Sequence, residues 1–197
     1  MVQISLRKQP VQARSQATCA AIKEAAARIL VTRGIEALNT NLIAETAGVS
    51  VGTLYQYFPS KQAILAELIR DMRAEMLTDL QRGRQAAQGC DLNTTVRILI
   101  DATLDHHRRD APRAEALEHA EATLRMDGET ERLKADIHLL VVEILTLFGV
   151  DAPARAARDL AALASGMARA AVWAGETDFD DVAARITRAA TGYLRPN

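Results

Sequence analysis

The residues of this chain best suited to chemistry at a surface lie in one short run, Val51-Gly52-Thr53-Leu54-Tyr55-Gln56-Tyr57-Phe58. Helical spacing turns Leu54 and Phe58 to one side and Thr53, Tyr55, Gln56 and Tyr57 to the other. Hydroxyls and a carboxamide of this kind donate to phosphate oxygens or read base edges. Gly52 lets a ligand come close to the backbone at a helix N-terminus, where free N–H groups and the helix dipole favour phosphate. Lys61 opens the next helix and is placed for one more phosphate contact. The chemistry this run suggests is the binding of a polyanion.

Two short helices must hold that surface, one over about Asn39–Ala47 and one over Ser50–Phe58. Between them, Gly48 supplies the positive φ of a tight exit, Val49 plugs the corner and Ser50 caps the second helix through its hydroxyl. Ile43 and Ala47 share one face of the first helix, and Ala44 is small enough for the second to cross closely. These are the requirements of a helix-turn-helix. Before it, Ile22, Ala25, Ala26, Ile29 and Leu30 repeat with the period of one buried helical face, and Gly34 stops that helix.

Charge supports the same reading. Residues 1–61 hold seven Lys/Arg against three acids, a net +4, whereas the rest holds 17 against 22, a net −5. A basic head on an acidic body suits a head that meets nucleic acid. Apolar residues make up 49% of the chain but aromatics only 4%, and alanine is abundant, so an all-α fold is expected. About nine helices follow from the pattern, with further breaks at Gly83 and Gly89, Asp127-Gly128, and Gly149 and Pro153. One helix is expected over about Leu92–Arg109, and another from Pro112 to Met126. Cys19 and Cys90 are too few for a disulfide framework and read as reduced thiols of a cytoplasmic protein. Residues 1–13 have no apolar run of a signal peptide and read as a disordered basic arm. The stretch Leu160–Ala174 is too short and too polar to span a bilayer.

The string from Thr40 to Lys61, with its gapless A-G-V-S-x-G-T-L-Y-x-Y-F-P-S-K run, closely resembles the tetracycline-repressor-like (TetR) family of bacterial regulators. The resemblance covers about residues 14–65. It implies a helix-turn-helix DNA-binding domain over residues 14–61. A larger helical domain over 62–197 would form a homodimer and hold a small-molecule effector. By position, Thr40 resembles a phosphate contact and Asn41 a base reader. Val51, Gly52, Thr53 and Gln56 would face the DNA bases, with Tyr55, Tyr57 and Lys61 on its backbone and Ser50 also in the DNA-binding set. The implied partner is an inverted-repeat operator in double-stranded DNA, and the implied function is repression relieved by an effector. A ligand-independent regulator or a chromosome-organising protein fits the same residues. Two departures stand out. Many members have Thr or Ser where this chain has Leu38 and Asn39, and Asn39 reads as the substitute cap. Many also have Lys where Val51 stands, which suggests an apolar contact such as a thymine methyl.

The helix from about Arg155 to Glu176 reads as apolar almost all round, so each of its sides needs cover, the simplest being a second subunit. Leu160, Ala162, Leu163, Gly166, Met167, Ala170 and Trp173 are its candidate interface residues, and the resemblance implies that the last helix joins them with Val182 and Ile186. The effector pocket is less legible. His106, Met126 and Phe148 are candidates, with Met126 and Phe148 equally at home in a core. His106, His107, His119 and His138 lack a metal-ligand spacing, and no nucleophile, phosphate-loop or paired-carboxylate motif occurs. Neither an enzyme nor a metal or cofactor is expected.

Overall fold

The computed structural model describes residues 13–124 and 127–195. They form eight helices: α1 (Ala13–Ala37), α2 (Thr40–Ala47), α3 (Val51–Tyr57), α4 (Lys61–Ala86), α5 (Leu92–Thr123), α6 (Gly128–Leu147), α7 (Pro153–Trp173) and α8 (Phe179–Tyr193). No strand occurs among the described residues. Residues 1–12 of the expected arm, and the pocket candidate Met126, lie outside them.

Two local breaks decide the helix count. Gly34 takes φ 77° and ψ 173°, a left-handed φ that interrupts α1 before its final turn. Asp110 (φ −161°, ψ 85°) interrupts α5, so the two helices expected on its sides are joined end to end as one element. Pro112 falls in the first turn after that break, where a helix leaves its N–H groups without intrahelical partners in any case.

Two compact units draw on the three central helices. One comprises the chain up to Met72 with Pro112–Glu131, the other Arg73–Ala111 with Arg132–Asn197. The first is built around Ile22, Leu30, Leu38, Ile43, Leu54, Phe58, Ile64 and Ile69, joined by Leu117 and Ala120 of α5. Its polar anchor is Arg70, which pairs with Glu67 one turn earlier, with Asp127, and with Glu129 at 3.3 Å. Asp127 also caps α6, accepting from the Thr130 N–H at 2.9 Å. Burial pushes the Asp127 carboxyl up, but the Thr130 and Arg70 hydrogen bonds outweigh it and hold the group below its usual range. For Glu67 burial wins over Arg70, and its carboxyl lies above the usual value.

In the second unit, Val96, Ile100 and Leu104 of α5 pack with Leu145, Ala156, Ala157, Leu160, Ala164, Val182 and Ile186. Helix α7 buries one face, through Ala156, Ala157, Leu160, Ala164, Ala168 and Ala171. Its opposite side is open in the single chain: Ala162, Gly166 and Ala170 are exposed, and Trp173 is 71% exposed. Asp178 caps α8 by accepting from the N–H groups of Asp180 and Asp181, both at 3.1 Å. Cys19 is buried, Cys90 half-buried, and both are free thiols. No described helix is long and apolar enough to cross a membrane.

Candidate nucleic-acid interface

Each end of α2 and the start of α3 is fixed by its own residues. Asn39, in extended geometry (φ −145°, ψ 157°), accepts from the Leu42 N–H at 2.9 Å. Its amide donates back to the Ala37 carbonyl at 3.2 Å, so both halves of the carboxamide are used. The substitution noted in the sequence therefore keeps the cap. Gly48 closes α2 at φ 68° and ψ 30°, and the Val49 N–H reaches back to the Ala44 carbonyl at 3.0 Å. That left-handed exit suits glycine, because a Cβ would strain it. Ser50 then caps α3, accepting from the Thr53 N–H at 3.0 Å.

Packing sets which side of α3 faces out. Leu54 is fully buried and Phe58 is 1% exposed, both in the core under α1 and α2. Val51, Gly52, Tyr55 and Gln56 are exposed, with Thr53 and Tyr57 half-buried. On α2, Asn41 is exposed and Thr40 half-buried. Thr40 Oγ1 lies 3.1 Å from the Tyr55 hydroxyl, tying the first turn of α2 to the outer side of α3. Ser50 Oγ and Thr53 Oγ1 lie 2.8 Å apart. In each pair one hydroxyl proton is spent on the other oxygen, so one O–H per pair is left for an outside acceptor. Arg28 braces the end of α2 from α1, through the Thr46 carbonyl at 3.4 Å.

Lys61 is placed differently from the simple expectation of a backbone phosphate ligand. Its ammonium donates to the Leu38 carbonyl at 2.8 Å, holding the start of α4 against the turn between α1 and α2. Two of its three protons remain for other acceptors. Sequence reasoning missed that acceptor, and it also missed Arg14 and Thr18. Both lie on the first turns of α1 and line a cleft with Val49, Ser50, Thr53 and Tyr57. Their i, i+4 spacing was the only sign available.

The other candidates lie elsewhere. His106 is half-buried on α5 beside His107, ring centroids 4.3 Å apart. His107 is the sealed one, stacked on Phe179 at 5.4 Å. Phe148, just past α6, is 37% exposed. Val182 and Ile186 sit in the chain's own core at 1% and 0% exposure, with Leu160 at 8%; these three have almost no surface to offer a partner. Leu163 and Met167 are half-buried at the margin of that core.

Residues 22–68 match the family model of bacterial regulatory proteins of the tetR family. No curated protein matches the sequence. Among solved structures, the fatty acid degradation regulator FadR of Bacillus halodurans is similar over 97% of this chain and 100% of its own, with TM-score 0.76 and 18% identity. FadR of Bacillus subtilis, solved with stearoyl-CoA, has TM-score 0.72 and 16% identity over 87% of this chain and 96% of its own. FadR of Thermus thermophilus, a TetR family transcriptional repressor solved with lauroyl-CoA, has TM-score 0.58 and 23% identity over 89% and 92%. At these identities the likeness is one of fold. The match to the family model falls on the helix-turn-helix itself, and the N-terminal domain of this chain is that of the tetR family of bacterial regulatory proteins.

Proposed function

We propose that the protein is a homodimeric transcriptional repressor that reads an inverted-repeat operator with α3 and leaves it when a small-molecule effector binds. The observation that carries the DNA-reading part is at Gly52. An added Cβ there would meet only Ser50 Oγ at 3.8 Å, an ordinary contact, and Gly52 has no positive φ. The fold does not require glycine at this position, so the reason for it lies outside the chain, in a backbone that comes close to DNA. Around it, Val51 and Gln56 face outward for base edges, Asn41 flanks them on α2, and the Thr40–Tyr55 pair offers its one unspent hydroxyl proton to phosphate.

Dimerisation is supported by the open side of α7. Ala162, Gly166 and Ala170 form a row of small residues that permits close approach of a second helix, flanked by Leu163, Met167 and the exposed Trp173. Two-fold symmetry would then place two copies of α3 on the two halves of an operator. For the effector, long-chain acyl-CoA is the first class to try, because two proteins of similar fold were solved with stearoyl-CoA and lauroyl-CoA.

The test is enrichment of duplexes from a random pool by the wild-type protein, followed by binding of the enriched sequence with and without stearoyl-CoA. An inverted repeat released by stearoyl-CoA is the expected result. Enrichment without symmetry would overturn the dimeric reading. Undiminished binding in saturating stearoyl-CoA and lauroyl-CoA would overturn the acyl-CoA assignment.

A further inference from the structure

We propose that Arg14 and Tyr57 form a seat for one DNA backbone phosphate, in the cleft between the first turns of α1 and the turn joining α2 to α3. The inference rests on the reading of α3 as the DNA-contacting helix and adds Arg14, an anchor outside the helix-turn-helix, to the backbone contact that the resemblance implies for Tyr57. The cleft has a volume of about 420 Å³, and Arg14, Thr18, Val49, Ser50, Thr53 and Tyr57 are among the residues lining it. None of the described residues that line it is acidic.

The donors there match an anion. Arg14 is exposed and makes no ion pair among the described residues, so its guanidinium carries an uncompensated charge and five N–H donors. The Tyr57 ring is half-buried against the core, which fixes its position, while its hydroxyl has no hydrogen-bond partner among the described residues. The Ser50–Thr53 pair retains one unspent hydroxyl proton. Thr18 plays another part. Its Oγ1 donates to the Arg14 carbonyl at 3.0 Å, bracing the turn that carries the arginine. A phosphate here carries no sequence information. Its effect is on register, since a contact on α1 and the contacts of α3 together fix how the recognition helix enters the groove.

The experiment uses the full chain with Arg14→Ala, Arg14→Lys and Tyr57→Phe, each checked for helicity by circular dichroism. Affinity is measured by fluorescence anisotropy on the duplex enriched by the wild type and on calf-thymus DNA fragments. Arg14→Ala should weaken both by the same factor, about tenfold at low salt. Its slope of log affinity against log salt should be shallower by about 0.9, so that the gap to wild type narrows roughly 3.5-fold between ~50 and ~200 mM salt. Arg14→Lys should restore the slope, and Tyr57→Phe should weaken binding with the slope unchanged. If Arg14→Ala leaves affinity and slope as they were, or weakens the enriched duplex alone, the phosphate seat is refuted. A wild type that binds neither DNA would instead refute the reading on which this one rests.

Discussion

Glutamate placed at Gly166 separates folding from association. In the single chain this position is exposed, and an added Cβ meets nothing within 4 Å. Glycine inside a helix costs roughly 0.5–1 kcal/mol relative to alanine, and glutamate is nearly as good a helix former as alanine. The lone chain should therefore keep its fold and gain about half a kcal/mol. In a dimer packed on the Ala162, Gly166 and Ala170 row, two-fold symmetry brings two carboxylates into a seam of small residues. An uncompensated buried charge costs about 3–5 kcal/mol, so two of them raise the dissociation constant by at least about four orders of magnitude. Sedimentation equilibrium at micromolar concentration should give twice 21.4 kDa for wild type and 21.4 kDa for Gly166→Glu, with unchanged helicity. Tight DNA binding should fall with the dimer, because a monomer reaches one half-site. A variant that keeps the doubled mass refutes the interface. One that loses helicity refutes the statement that position 166 is open in the single chain.

Three further outcomes follow from the residues already placed. Gln56→Ala and Asn41→Ala should each weaken the enriched operator by about 1–3 kcal/mol while leaving calf-thymus DNA nearly untouched, if each makes a good bidentate base contact; equal losses on both DNAs would remove them from the base-reading set. Gly52→Ala should leave thermal stability level or slightly raised yet weaken DNA binding, and unchanged affinity would show that no backbone comes close there. Stability should also carry the mark of Glu67. Burial raises its folded carboxyl above the usual value of 4.5, so its contribution is fully favourable below that pH and is lost as pH rises through the folded value. Denaturation midpoints of Glu67→Gln relative to wild type should therefore climb as pH rises above 4.5. A flat or falling difference would refute the raised value.

What could be read from the chain alone was what is decided within a few residues. The caps at Asn39 and Ser50, the left-handed Gly48 and the two-sided pattern of α3 each depend on neighbours no more than a few positions away, and each is found as the sequence suggests. Lys61 is the counterexample inside the same motif. Its acceptor, the Leu38 carbonyl, lies 23 residues back, and no local pattern signals it. Arg14 belongs with Lys61, since its place beside Tyr57 follows from how α1 crosses the turn after α2.

The same distinction explains α7 and the histidines. Apolar residues on every side of α7 indicate that much of it needs cover, but not which side its own chain supplies. Packing against α8 settles that, burying Leu160 and Ala164 while leaving Gly166 and Trp173 outside. The family resemblance implies the last helix at the interface, with Val182 and Ile186, yet an amphipathic helix has only one apolar face, and α8 spends it on its own core. Adjacency on α5 forces His106 and His107 to point in different directions, and the sealed one is His107, stacked on the ring of Phe179 far along the chain. Local chemistry thus shaped the outer side of α3, whereas the open side of α7 is what remains after the chain has covered itself. A substitution on the outer side of α3 should therefore be felt by DNA and not by the fold. One at Val182 or Ile186 should be felt by the fold first, at a cost of roughly 2–5 kcal/mol for Ile186→Ala, before any effect on association can be seen.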